Sequence, residues 1–418
     1  MGRRAKSLTV GTPIAILAFL SLCGAATSQT SPEGSQALNT QIQLGDVVAG
    51  QRLDVETATD GASAATTAIG NSATAVGQGG AVDFESTQQM SGQTSAQATA
   101  TLNGDAGPSF VTATTATGNT ATAGTYGAAV TGTTTQTNNG AGTNATTFAN
   151  LDGYSDVVSA SSTAIGNTQG WNVTNGSLNA TSNQSNTGVV SAQTNATSNN
   201  AGTATFTATA VANDVEADTT NSPVTLTVAQ SQTGASTDAA VTATQNTAGN
   251  FATAATATGN NANIVSDSYA TLVTATQDNE GAISANASGT VGQWSGNTTA
   301  TAYGVGNSVV VANAGSYTGL ANDQTNNGAI TISASLTSST GGGAGGEATV
   351  SATGVGNAAS AYACPSCNGV VSTRNKQVNT GSVHASATTN TFGVTSVSGA
   401  SSAIGNTATF QVVDSSSN

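Results

Sequence analysis

One phrase is written along this chain at a nearly fixed interval, and that interval limits what the chain can fold into. It reads TAIGNSATAVG at residues 67–77 and returns as TATGNTATAG, STAIGNTQG, TATGNNANI, YGVGNSVVV, TGVGNAASA and SAIGNTATF. Its Gly-Asn pairs are Gly70-Asn71, Gly118-Asn119, Gly166-Asn167, Gly259-Asn260, Gly306-Asn307, Gly356-Asn357 and Gly405-Asn406. They step by 48, 48, 93, 47, 50 and 49 residues. The long step hides a worn copy, AVANDVE, in which Ala212 replaces the glycine and Asn213 is kept. A second phrase, Gln-x-(Asn or Gln)-x-Gly, interleaves with the first. Its glutamines are Gln41, Gln88, Gln136, Gln184, Gln230, Gln277, Gln324 and Gln377, and Met90 is the one departure at the third position. From the Gly-Asn glycine to the next glycine of the second phrase is 22 residues in six of seven cases, while the return half-step varies from 24 to 28. Self-similarity held at such a period is the mark of a repeat architecture.

Within each half-repeat, small apolar and polar residues alternate, as in ATVSATGVGNAASAYA and NGAITISASLT. Period-two alternation rich in Thr and Val predicts strands, and Gly and Asn tolerate the backbone angles of turns. Each half-repeat therefore reads as strand, turn, strand, with the Gly-Asn pair at a corner. Residues 37–418 are expected to form an all-β fold, a β-solenoid (β-helix) of eight repeats of 46–53 residues, wound as about sixteen coils. Stacked coils bury one another's inner faces, and Asn and Gln amides are expected to ladder up the stack. At ~4.8 Å per coil, sixteen coils give a rod of about 75 Å.

The composition narrows function. Only 6% of residues are charged, and Lys and Arg total 6 against 20 acidic residues, giving a formal net charge of −14. Three of those cations (Arg3, Arg4, Lys6) stand in the first residues, leaving Arg52, Arg374 and Lys376. A row of cations facing phosphates cannot be assembled from these, so nucleic-acid binding is excluded. Residues 1–26 read as a secretory signal peptide: a cationic start, an apolar run over Leu8–Leu22, then small residues with cleavage after Ala26. LSLC at 20–23 offers a second, lipoprotein reading with Cys23 acylated, against which Leu22 stands where Gly or Ala is expected. Residues 27–36 read as a linker, and the mature chain is expected to be exported.

Few residues carry chemistry. Cys364 and Cys367 lie in CPSC, inside the one lengthened short half-step, and read as a local disulfide pinning an insertion; a redox pair would want a βαβ context that is missing here. Asp214, Glu216 and Asp218 alternate in NDVEAD on one strand face, read as a solvated acidic face rather than a calcium loop. His384 stands alone. No catalytic, cofactor or metal residue is assigned. Insertions in the variable half-step should emerge along one edge, and several carry aromatics: Phe110, Phe148, Tyr154, Phe206, Phe251, Trp294 and Phe392. Such a row could stack on the sugars of a polymer, or cap coil ends against solvent.

GNSATAVGQ and the glutamine phrase resemble curlin repeats, although a curlin pattern is one repeat and here two phrases alternate. Together with the leader and the eightfold repeat, the chain is similar to the holdfast anchor family of stalked alphaproteobacteria. That resemblance implies an outer-membrane surface protein that fastens an adhesive polysaccharide, the holdfast, to the cell. It also implies companion anchor proteins and export through a curli-secretion-like lipoprotein pore. Independently of the resemblance, a stiff and nearly uncharged rod suits many weak contacts with a repeating polymer. The alternatives are a curli-like filament or surface-layer subunit, since unpaired end strands invite self-association, and a polysaccharide-cleaving β-helix enzyme. The enzyme would need a cation or a carboxylate pair in a cleft.

Overall fold

The computed structural model describes residues 34–233, 236–338, 345–364 and 369–412. Each repeat supplies three strand segments, and each segment pairs in parallel with its counterpart one whole repeat away. The third repeat shows the plan. Ala129–Asn138 forms a first short row, residues 142–151 a second, and residues 155–174 a long row about as long as both together. The first short row runs through eight strands, from Ser35–Gln43 to Val370–Asn379. The second starts at Val47–Val55 and ends at Val383–Asn390. The long row starts at Ala62–Gln78 and ends at Val394–Val412.

This corrects the expected winding. Gln88 pairs with Gln41 and with Gln136, and Asn119 with Asn71 and with Asn167, so neighbours along the stack are a full repeat apart. The coil is therefore one repeat, not half of one, and the eight repeats wind eight coils rather than sixteen. At ~4.8 Å per coil the stack is about 38 Å long, half the expected rod, and correspondingly broader. The physical reason is that a half-repeat contains no return. The long row lies across both short rows, and only all three segments close a coil.

Two apolar cores result. The second short row packs on the first half of the long row around Leu102, Phe110, Leu151, Phe206, Phe251 and Trp294. The first short row packs on the second half around Phe84, Val130, Trp171, Leu226, Ile264 and Val309. Most positions between them are Ala, as a thin slab demands. Where large rings enter, they pair across coils. Phe206 and Phe251 lie 6.0 Å apart and tilted, and Phe84 meets Trp171 edge-on at 6.3 Å. Trp171 Nε1 also donates to Ser182 Oγ at 2.9 Å, so its polar atom is paired inside the slab. A buried hydroxyl chain threads the first core: Thr114 meets Thr147 at 2.7 Å, Ser162 donates to Thr147 and Thr194 donates to Ser162.

The Gly-Asn pairs do not turn the chain. Gly70, Gly118, Gly166, Gly259, Gly306, Gly356 and Gly405 all lie inside strands of the long row. The inward alternation changes phase there: Phe110, Thr112, Thr114 and Ala116 point inward before Gly118, and Asn119, Ala121 and Ala123 after it. Each glycine is thus a jog of one residue, repeated in register from coil to coil. A Cβ on Gly118 would stand 2.5 Å from the Gly166 carbonyl oxygen of the next coil. The worn copy accommodates Ala212 at the equivalent place, fully buried. The real corners are elsewhere. The glutamine phrase ends in one, at Asn139-Gly140 and its equivalents. Another joins the long row to the next short row, at Gly79-Gly80, Gly127, Asn175-Gly176 and Asn221, where Asn175 and Asn221 take φ of 55° and 49°.

Candidate functional site

The two repeated phrases face each other across the coil, in the gap between the two apolar cores. Asn119 Nδ2 donates across this seam to the carbonyl of Thr137, and Gln136 Nε2 donates back to the carbonyl of Thr168. The same reciprocal bonds recur up the stack, from Gln41 to the Ser72 carbonyl up to Gln377 and the Thr407 carbonyl. The facing position explains the constant 22-residue interval: it is the path from one side of the seam to the other.

Along the stack each phrase forms an amide ladder. Asn71 donates to Asn119, and the chain of bonds continues through Asn167, Asn213, Asn260, Asn307 and Asn357 to Asn406, with every step 2.7–2.8 Å. Gln377 donates to Gln324, and the second ladder continues through Gln277, Gln230, Gln184, Gln136 and Gln88 to Gln41, at 2.7–3.0 Å. The two run in opposite senses: asparagine donors point toward later coils, glutamine donors toward earlier ones. Their amide dipoles therefore offset each other along the rod. Each interior Asn and Gln makes three of the four bonds its amide allows, which removes most of the cost of burying it. The third position of the glutamine phrase adds a shorter ladder, Asn279 to Asn326 to Asn379. Asn213, with no glycine before it, belongs to the ladder as fully as the others; its Asn at the right interval was the only signal.

Outside, the coils present rows of hydroxyls and amides. Thr133, Thr181, Thr227 and Thr274 stack on the first short row. Thr101, Asn150, Thr197, Thr244, Thr290 and Thr337 stack on the second. A shallow groove of about 260 Å³ crosses the second row beside exposed Phe148, lined by Thr99, Thr101, Asn195 and Thr197. A second, about 420 Å³, crosses the first row beside Leu272, Gly319 and Arg374. Among the described residues there are two ion pairs, Arg52–Asp54 at 3.3 Å and Lys376–Asp323 at 3.0 Å, both exposed and worth little.

The insertions do emerge along one edge, at the corner between the second short row and the long row. The aromatic row expected there does not. Phe110, Phe206, Phe251 and Trp294 sit on inward positions of their strands and are at most 2% exposed. They fill the first core instead of offering faces to a polymer or capping coil ends. Phe148, Tyr154 and Phe392 are exposed, and Tyr154 donates its hydroxyl to Asp156; that hydrogen bond, helped by the carboxylate's charge, holds the phenol above its ordinary pKa.

Asp214 stands outward on the long row beside Asn261, which donates to it at 2.8 Å. Burial pushes its pKa up to about 6; the Asn261 bond opposes this and the Glu216 charge adds to it. Glu216 and Asp218 share its face and are exposed. Among the described residues, no group of three or more His, Cys, Asp or Glu is arranged to hold a metal ion. His384 is exposed on the last coil. Cys364 is disulfide-bonded and buried in the last lengthened repeat. Its expected partner Cys367, the leader with Cys23 and most of the 27–36 linker lie outside the described residues.

Residues 26–329 match the model of one family, described as Holdfast attachment protein D (HfaD). The chain belongs to that family. The match covers well over half of the chain and spans the coils from the first short row to the turn after Asn326, with the asparagine ladder as far as Asn307 and the glutamine ladder as far as Gln324. No match was found among curated proteins or among solved structures. HfaD membership gives the chain a part in holdfast attachment, hence a cell-surface role, and it is membership of an attachment family rather than of an enzyme family.

Proposed function

We propose that this HfaD protein is a surface anchor that fastens the adhesive polysaccharide to the outer membrane through many repeated contacts. The family match carries the reading. What supports the multivalent form is the exterior: Thr, Ser and Asn rows repeated at about 4.8 Å along a stack in which charged residues are few. Hydroxyl and amide rows can exchange hydrogen bonds with sugar hydroxyls at successive coils, and weak contacts linked in this way add as avidity. A secretory leader over residues 1–26, export through a curli-secretion-like lipoprotein pore and docking to companion anchor proteins belong to the same proposal. So does the Cys364–Cys367 disulfide as a pin for the last coil. Of what the cleaving-enzyme reading would need, the two grooves hold one cation, Arg374, and no carboxylate pair.

The test is genetic. Deleting the gene in the native host should leave adhesive on the substratum while cells are shed into the medium. Adhesive that stays fixed to the deleted cells would remove the anchor role.

A further inference from the structure

Among the described residues both ends of the stack are open, and they are complementary. At one end Ser35–Gln43, Val47–Val55 and Ala62–Gln78 pair on one side only; at the other so do Val370–Asn379, Val383–Asn390 and Val394–Val412. Open strand edges template further pairing. Here the side chains add direction. The asparagine ladder ends with the Asn406 Nδ2 donor unused and begins with the Asn71 Oδ1 acceptor unused. The glutamine ladder ends with Gln377 Oε1 unused, and begins with a Gln41 Nε2 whose one bond goes to the Ser72 carbonyl. One end thus offers a donor from Asn and an acceptor from Gln, and the other end offers the reverse.

From this we infer that copies of the chain stack head to tail, with the last coil of one pairing in parallel with the first coil of the next as adjacent coils do within a copy. Aligning Asn406 with Asn71 and Gln377 with Gln41 lets both ladders run on without a break. It also covers the open core. Val397, Phe410 and Val412 occupy inward positions, by their pairing with Ala348, Ala361 and Ala363, yet are 52%, 38% and 46% exposed. In the stacked register they meet Ala62, Ala75 and Gly77, large side chains over small. The outward cations find no cation opposite: Arg374 meets Leu38 and Lys376 meets Thr40. A contact between two different ends does not close on itself, so it propagates as an open filament. This inference does not rest on the holdfast reading.

Two isosteric variants test it on the purified mature chain. Gln41→Glu replaces the donor at the first coil by a carboxylate, and Asn406→Asp does so at the last, while each keeps the acceptor its own neighbour uses. Sedimentation velocity and negative-stain microscopy should show wild-type protein forming filaments one stack wide as its concentration rises, with an axial repeat of about 38 Å. Each variant alone should stay monomeric, Asn406→Asp with an unchanged melting curve and Gln41→Glu with one lowered only by the loss of its bond to the Ser72 carbonyl, and the two mixed should form a one-to-one dimer and stop there. A second route needs no change at the ladders. Thr74→Cys with Thr409→Cys in one chain places a thiol on each end at paired outward positions, and mild oxidation should give a covalent series of multimers. Wild-type protein that remains monomeric at all concentrations, with no covalent series from the cysteine pair, overturns the proposal. So does a variant that dimerises with itself, since that contact would join like ends.

Discussion

The seam and the insertion edge lie on the same coils, yet the repeat treats them differently. At the seam the residue types hardly change over eight coils; Ala212 and Met90 are its substitutions. At the edge, lengths and residues change in almost every coil, from NGDAGPSF to TVGQWSGN. The difference is physical. A seam amide bonds to the coils on both sides and to the opposite wall, so a change at one level strands three partners. An edge turn faces water and holds mainly its own coil.

Mutations at the two places should separate sharply. The largest effect is expected for Gly118→Val: its side chain must displace the Gly166 backbone of the next coil, with a stability loss of about 3 kcal/mol in denaturant unfolding. Asn167→Leu comes next. It deprives Asn119 Nδ2, the Ser185 carbonyl and Asn213 Oδ1 of their partner, and the loss should be about 2 kcal/mol.

A smaller effect with a pH signature is expected at Asp214, on the outer surface of the seam strand. Its folded pKa of about 6 lies above the ordinary carboxylate value, so the folded state is favoured by protonation. That contribution is complete below about pH 4 and is lost as pH rises through 6. Asp214→Asn, which matches Asn261 in the next coil, should therefore stabilise by about 1 kcal/mol at pH 7 and by nothing measurable at pH 4. Thermal melts across that range decide it. Least of all should Tyr154→Ser at the edge matter, within about 0.5 kcal/mol. An edge substitution as costly as a seam substitution would erase the contrast.

The sequence made much of this legible. Alternation marked the strands, and the two phrases marked the residues that stack. The winding was hidden for a specific reason. Two phrases almost half a repeat apart look like two equivalent corners, and a glycine beside an asparagine looks like a turn. Yet Gly118 is there because a Cβ would crowd the next coil's backbone, a crowding that the worn copy's Ala212 bears with its single methyl. The corner that returns the long row is made variously by Gly79-Gly80, Asn175-Gly176 and Asp267-Ser268, in which no one letter holds throughout, and so it leaves no phrase. The buried aromatics could have been placed, since Phe110 keeps step with Thr112, Thr114 and Ala116, which point inward. Their position beside an insertion disguised that.

The central claim is that one repeat makes one coil. Spin labels on Thr133→Cys and Ala321→Cys test it most directly, because the two positions share an outward row four coils apart. Pulsed dipolar spectroscopy on the folded chain should give a separation of about 19 Å, four strand spacings. A separation of about 38 Å would mean two coils per repeat, and would contradict the account.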